Sequence, residues 1–231
     1  VLAQVLYNRG QDTPEKALTF LDGNGELHDP FQLYGMHQAV ARIRRAIKGG
    51  ERIVVYGDFD ADGVTSTALL VLALQELRAQ VAPYIPDRIE EGYGLHIEAL
   101  DKLQRQGADL VITVDCGIRS VAEVRHARQI GLDLIVTDHH SVGDQWPDDA
   151  VAVINPKLDR RLALEEGRAN GYPEDMLAGV GVAYKLAQAL YRVAERQDRF
   201  TPKQPVETLL DLVALGTVAD LAPLDRLENR E

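Results

Sequence analysis

Cysteine is almost missing from these 231 residues, which hold one, Cys116. A single thiol excludes an intramolecular disulfide and fits a reducing, cytoplasmic setting. No apolar run approaches the roughly 20 residues needed to cross a bilayer. The opening Val1-Leu2-Ala3-Gln4-Val5-Leu6 lacks both the basic leader and the length of a signal peptide. An excess of positive charge is missing too. The formal net charge of −11 argues against a simple basic surface that grips nucleic acid. It does not exclude such a partner, because bound cations offset part of a carboxylate cluster and a basic groove can lie on another domain. There is no internal repeat and no low-complexity tract. With 45% hydrophobic residues, the chain can build one large domain or two small ones. A first residue other than Met and a charged end from Leu224 to Glu231 read as a piece of a longer protein.

Along the chain, residues 1–48 read as a helical lead-in. Thr13-Pro14-Glu15 is a helix start, and a helix over Leu33 to Ile47 stops at Gly49-Gly50. The pattern then changes. Short β-branched runs at Arg52–Tyr56, Val81–Ile85, Leu110–Val114, Leu132–Val136 and Val151–Ile154 alternate with helical stretches at Val64–Leu77, Ile97–Gln106 and Val121–Ile130. The strands are continuously apolar rather than alternating, as in a parallel sheet covered on both faces. The expected fold is therefore α/β: a doubly wound, mainly parallel five-stranded sheet with helices on both faces and helical segments at both ends. Leu158 to Pro173 reads as a loop, Ala183 to Ala194 as a helix, and Pro205 to Leu215 as another with Gly216 as its C-cap.

Four acidic or histidine-bearing segments stand where apolar runs stop: Gly57 to Gly63 (with Asp58, Asp60 and Asp62), Val114-Asp115-Cys116-Gly117, Thr137-Asp138-His139-His140 and Val218-Ala219-Asp220. Ligands bind open parallel sheets at the carboxyl ends of the strands, so the first three segments are expected to share one edge. Crowded carboxylates repel one another and resist losing water. Something positive belongs among them, and a divalent metal is the usual answer. An EF-hand is a poor fit to D-x-D-x-D-G here, because loop position twelve from Asp58 is Leu69 and the preceding segment is a strand. For Asp115 alone, a helix cap is the better reading; the histidines beside the acids shift it toward ligation. Mixed oxygen and imidazole donors suit Mn²⁺, Mg²⁺ or Zn²⁺, and the lack of thiolates argues against structural zinc. Two such ions can bind a phosphoryl oxygen, lower the pKa of a water and steady a leaving oxygen. Asp115, on the central strand, is the candidate bridge.

These residues resemble the DHH phosphoesterase family, whose namesake triplet is seen as Asp138-His139-His140, and within it the single-strand DNA exonucleases. Tyr56 to Ser66 is similar to the first motif, Ile85 to Leu95 to the second, Thr113 to Ile118 to the third and Thr137 to His140 to the fourth. Ile154-Asn155-Pro156-Lys157 and Leu215 to Leu221 complete the series. The resemblance implies that Asp60 and Asp115 hold one metal, and Asp62, Asp115, His139 and Asp220 the other. Asp58 is a nearby ligand or outer acid, and His140 touches the scissile phosphate or positions water. Arg88 faces a phosphate, or else pairs with Glu90 or Glu91. Relatives that cleave small nucleotides carry a His four residues before the metal-binding Asp; here that position is Tyr56. The implied activity is Mn²⁺- or Mg²⁺-dependent, 5′ to 3′ hydrolysis of single-stranded DNA to mononucleotides in repair and recombination, with single-strand-binding protein and a helicase as partners. Hydrolysis of small substrates (short oligonucleotides, cyclic dinucleotides or phosphoadenosine phosphate) is the alternative. A non-catalytic relative would have lost metal carboxylates that this chain keeps. The division expected is a lead-in over residues 1–50 and a catalytic domain over 51–231, without the family's second domain or an oligonucleotide-binding barrel.

Other residues read more plainly. Cys116 suits a small buried position rather than a nucleophile. Gly179-Val180-Gly181-Val182-Ala183 lacks a dinucleotide-binding pattern and allows close backbone approach to the sheet or to DNA. His28, His37, His96 and His126 read as ordinary residues, with His96 near the second motif. Trp146 packs, or else stacks on a base.

Overall fold

A computed structural model of the chain describes residues 1–22, 27–168, 171–197 and 200–230. Two short helices, α1 (Leu2–Asn8) and α2 (Pro14–Asp22), precede a 3-10 turn at Pro30–Gln32 and helix α3 (Met36–Gly49). Thr13 starts α2 as expected, accepting the Lys16 N–H at 3.2 Å. Gly50 ends α3 in the left-handed region, at φ 67°. Then follow β1 (Arg52–Tyr56), α4 (Ala61–Glu76), β2 (Gln80–Tyr84), α5 (Ile97–Arg105), β3 (Leu110–Thr113), α6 (Val121–Gln129), β4 (Asp133–Thr137), β5 (Ala152–Ile154) and α7 (Pro156–Glu165). The chain continues through α8 (Gly179–Gln197), a 3-10 turn at Val206–Leu209, α9 (Leu210–Ala219) and α10 (Leu227–Arg230).

The described strands form one parallel sheet in the order β2-β1-β3-β4-β5. Side chains alternate across it, and both faces are buried. Ile53, Val55, Leu110, Ile112, Ile135 and Ile154 pack against α3, α4 and α8. Val54, Tyr56, Val111, Leu134, Val136 and Val153 pack against α5, α6 and Leu158 of α7. This explains the continuous apolar runs. The strand order reverses between β1 and β3, so the loops leaving these two strands diverge and open a crevice at their carboxyl ends.

Three expectations need correction. Leu158 to Pro173 is helical in its first half. Asn155 caps α7 by accepting the Lys157 and Leu158 N–H groups at 2.9 and 3.0 Å, and Pro156 fills the first turn; residues 169–170 of that stretch lie outside the described residues. The helix expected over Ala183 to Ala194 begins earlier, at Gly179, so the glycine run at 179–183 forms its first turn. Gly216 does not end a helix: α9 runs on to Ala219. A Cβ at 216 would come within 2.5 Å of Thr65 Oγ1 and 2.8 Å of Asp62 Oδ1. That glycine is kept for closeness to α4, not for a cap.

Outside the crevice, a buried ion pair closes the far side of α8. The Lys185 ammonium meets the Glu228 carboxylate of α10. Glu228 also accepts the Tyr172 hydroxyl at 2.6 Å and the His28 N–H at 2.9 Å, and Lys185 donates to the His28 carbonyl at 3.1 Å. Removing one partner of such a pair leaves an uncompensated buried charge. Lys185→Met is expected to lower stability by about 3–5 kcal/mol in urea denaturation. The double variant Lys185→Met/Glu228→Gln should recover at least half of that loss.

Candidate metal centre

Asp58, Asp60 and Asp62 leave the tip of β1. Asp60 caps α4, its Oδ1 accepting the Gly63 N–H at 2.9 Å. This leaves Asp60 exposed while its neighbours turn inward. Asp62, in the first turn of α4, accepts two N–H groups from the start of α8, Gly179 at 2.6 Å and Val180 at 2.8 Å. A helix N-terminus carries partial positive charge and suits a carboxylate. Burial nevertheless raises the Asp62 pKa above its ordinary range, and burial raises that of Asp58 as well.

Asp115 follows β3 with φ 61°, a left-handed conformation that Asp tolerates better than most residues. The turn is fixed by the Thr113 hydroxyl, which donates to the Cys116 carbonyl at 2.8 Å, and by the Thr137 hydroxyl, which donates to the Thr113 carbonyl at 2.7 Å. Gly179 lies against this carboxylate, where a Cβ would meet Asp115 Oδ1 at 2.7 Å. Burial, then repulsion from Asp62 and Asp60, pushes the Asp115 pKa up to about 9.

Beyond β4, Asp138 is consumed by structure. Its Oδ1 accepts the N–H groups of His139 (2.7 Å) and His140 (2.9 Å) and faces His140 Nδ1 at 2.8 Å; its Oδ2 accepts the Ile118 N–H at 2.9 Å. Burial opposes its ionisation, but the bond and charge of His140 outweigh that and hold the carboxyl below its ordinary pKa. The same hydrogen bond raises the His140 pKa. Burial, joined by the charge of His140, lowers that of His139.

These segments meet. His139 Nε2 lies 3.1 Å from Asp115 Oδ1 and 3.8 Å from Asp62 Oδ2, while its Nδ1 lies 3.8 Å from Asp220 Oδ2 at the end of α9. Three overlapping sets have donor atoms within 4.8 Å of one another: Asp58, Asp60 and Asp115; Asp62, His139 and Asp220; Asp115, His139 and His140. All seven candidate ligating or phosphate-facing residues of the four segments are therefore brought together. Asp115 and His139 each belong to two sets. Asp115 Oδ1 and His139 Nε2 are buried and make no aligned hydrogen bond, so each keeps unused donor capacity directed into the cluster. The donor set is hard, oxygen-rich and free of thiolate, which fits Mn²⁺ or Mg²⁺. His140 fits less well as a ligand through Nδ1, because Asp138 already holds that nitrogen.

Arg88 borders the cluster. Its guanidinium lies over the Phe59 ring, 5.1 Å from the centroid, and its charge acts on Asp58. Glu91 is engaged elsewhere, accepting the Tyr84 hydroxyl at 2.6 Å and the Asp87 N–H at 2.8 Å. Sequence reading passed over Tyr93, whose hydroxyl is 3.3 Å from His140 Nδ1. Its place inside the second motif was the available signal. Tyr56 points away, donating to the Gly94 carbonyl at 3.0 Å. Cys116 is fully buried and burial pushes its thiol pKa up, so it is packing and not a nucleophile. Of the remaining histidines, His126 sits 2.7 Å from Asp101, away from the cluster. Trp146 packs against the second core and edge-on to Tyr34.

Residues 52–217 match the DHH family, N-terminal domain. Over 231 residues the chain is 46% identical to the single-stranded-DNA-specific exonuclease RecJ of Bacillus subtilis (strain 168), covering 100% of this chain and 27% of the relative. It is 48% identical over 199 residues to the RecJ of Escherichia coli (strain K12), covering 84% and 33%. Among solved structures, RecJ in complex with Mn²⁺ from Thermus thermophilus superposes with a TM-score of 0.72 at 36% identity, covering 96% of this chain and 28% of that one. The chain thus spans between a quarter and a third of the length of these curated relatives.

The crowded carboxylates carry a cost without a cation, which gives a direct test. Asp115→Asn keeps the shape and the tolerance for left-handed backbone while removing a buried carboxyl that must otherwise carry charge or take up a proton on folding. In EDTA this variant is expected to melt a few degrees above the parent chain. Mn²⁺ should raise the melting temperature of the parent and leave that of the variant nearly unchanged.

Proposed function

The chain belongs to the DHH family, and from that premise we propose that it is the metal-dependent phosphodiesterase core of a single-stranded-DNA-specific 5′-3′ exonuclease acting in DNA repair and recombination. One observation carries the reading: three sets of oxygen and imidazole donors interlock through Asp115 and His139 at the carboxyl edge of a parallel sheet. In this reading Asp60 and Asp115 hold one Mn²⁺ or Mg²⁺ with Asp58 beside them, and Asp62, Asp115, His139 and Asp220 hold the other. Two divalent ions so bound supply charge to a phosphoryl oxygen, to an attacking water and to the departing oxygen.

The protein's own groups do the rest. The Asp138 carboxylate holds His140 Nδ1, which leaves Nε2 to meet the scissile phosphate or to orient water. Arg88, lying over Phe59, offers a guanidinium fork that matches phosphate oxygens. Residues 1–50 act as a helical lead-in and 51–231 as the catalytic domain. Single-stranded DNA is the substrate, single-strand-binding protein and a helicase are the partners, and the cytoplasm is the setting. Among the described residues no helix is long and apolar enough to cross a membrane.

End-labelled single strands, duplexes, cyclic dinucleotides and short oligoribonucleotides incubated with the chain and Mn²⁺ test this. Single strands should be shortened from the 5′ end, EDTA should stop the reaction, and Asp115→Asn should abolish it. Arg88→Ala should lower kcat/KM about 10- to 100-fold, the loss of one charged hydrogen bond. Cleavage of the small substrates alone would overturn the single-strand assignment.

A further inference from the structure

Ile154-Asn155-Pro156-Lys157 opens α7 and places no residue in the metal cluster. It leaves β5, the strand next to β4, and its two polar side chains reach the paired histidines. The Asn155 Nδ2 donates to the His140 carbonyl at 3.0 Å, and the Lys157 ammonium donates to the His139 carbonyl at 2.7 Å. Those carbonyls lie past the end of β4, where no strand ladder accommodates them. The N–H groups of the same two residues go to Asp138. Three side chains thus account for all four backbone polar groups of the histidine pair.

Asn155 is itself fixed. It is fully buried, and its Oδ1 caps α7 while its Nδ2 faces the histidines. Its amide carries an acceptor for the cap and a donor for the carbonyl on one short side chain.

We infer that Asn155 and Lys157 are positioning residues that set the orientation of the His139 and His140 rings, coupling the β5–α7 junction to the cluster. This rests on the metal-dependent reading above for its consequence in catalysis, but not for the brace itself. Lys157→Met keeps the apolar stem and removes the donor, Lys157→Arg restores a donor, and Asn155→Asp keeps the cap oxygen while removing the amide donor.

The experiment has two arms. In metal-free chain labelled with ¹⁵N at histidine, ring-nitrogen signals of His139 and His140 should move or broaden in Lys157→Met and Asn155→Asp. The His126 signals should stay in place, and Lys157→Arg should resemble the parent. In the loaded protein, Lys157→Met should weaken Mn²⁺ binding or lower kcat about tenfold, with KM for single-stranded DNA changed less than about threefold. Unchanged ring signals in both variants would overturn the brace. So would a raised KM with intact kcat and a reduced salt dependence, which would make Lys157 a contact to the DNA backbone. Failure of the parent chain to cleave DNA with Mn²⁺ would remove the nuclease reading, while the ring signals still decide the brace.

Discussion

Like charges held together out of water are the constraint around which this fold is organised. Asp58, Asp62 and Asp115 are buried, and their neighbours Asp60 and Asp220 bring further negative charge to the same edge. Burial and mutual repulsion both oppose ionisation. The visible compensation is the pair of N–H groups at the start of α8 on Asp62, brought close by glycines; His139, whose pKa burial lowers, stands between Asp62, Asp115 and Asp220 with its Nε2 unpaired.

The helices on this side of the sheet are placed by that need as much as by hydrophobic burial. Gly179 lets α8 approach Asp115, and Gly216 lets α9 approach Asp62. Neither glycine serves a turn. Gly216 is interior to α9, where a glycine costs a helix roughly 1 kcal/mol relative to alanine, and the close contact offsets it. The packing of α4, α8 and α9 and the geometry of the cluster are therefore one arrangement. A change in helix spacing would be felt at the carboxylates directly.

Much of this is readable without coordinates. Continuous apolar runs mark the strands within a residue or two, and the rule that ligands gather at strand carboxyl ends brings Asp58, Asp60, Asp62, Asp115, His139 and His140 to one edge. The rest depends on facts that no local pattern holds. Gly216 looks like a helix stop until its neighbour across the interface is known. The helix read from Ala183 starts four residues earlier, because two glycines lower helix propensity and hide a first turn that tertiary contact stabilises. Asp138 and Asp115 are alike in sequence context, and only the hydrogen bonds separate the acid that orients a histidine from the acid left with unused oxygens. The start of α7 is a different case: Asn155-Pro156 is a strong helix opening, masked by the charge that follows.

The left-handed backbone of Asp115 narrows what evolution or an engineer can place there. Asparagine and glycine share the conformational tolerance but carry no charge. Glutamate carries the charge, but it is less at home at φ 61° and adds a methylene where Gly179 already leaves no room. Backbone shape and chemistry thus select the same side chain independently, which makes this position a poor starting point for re-engineering the site toward other chemistries.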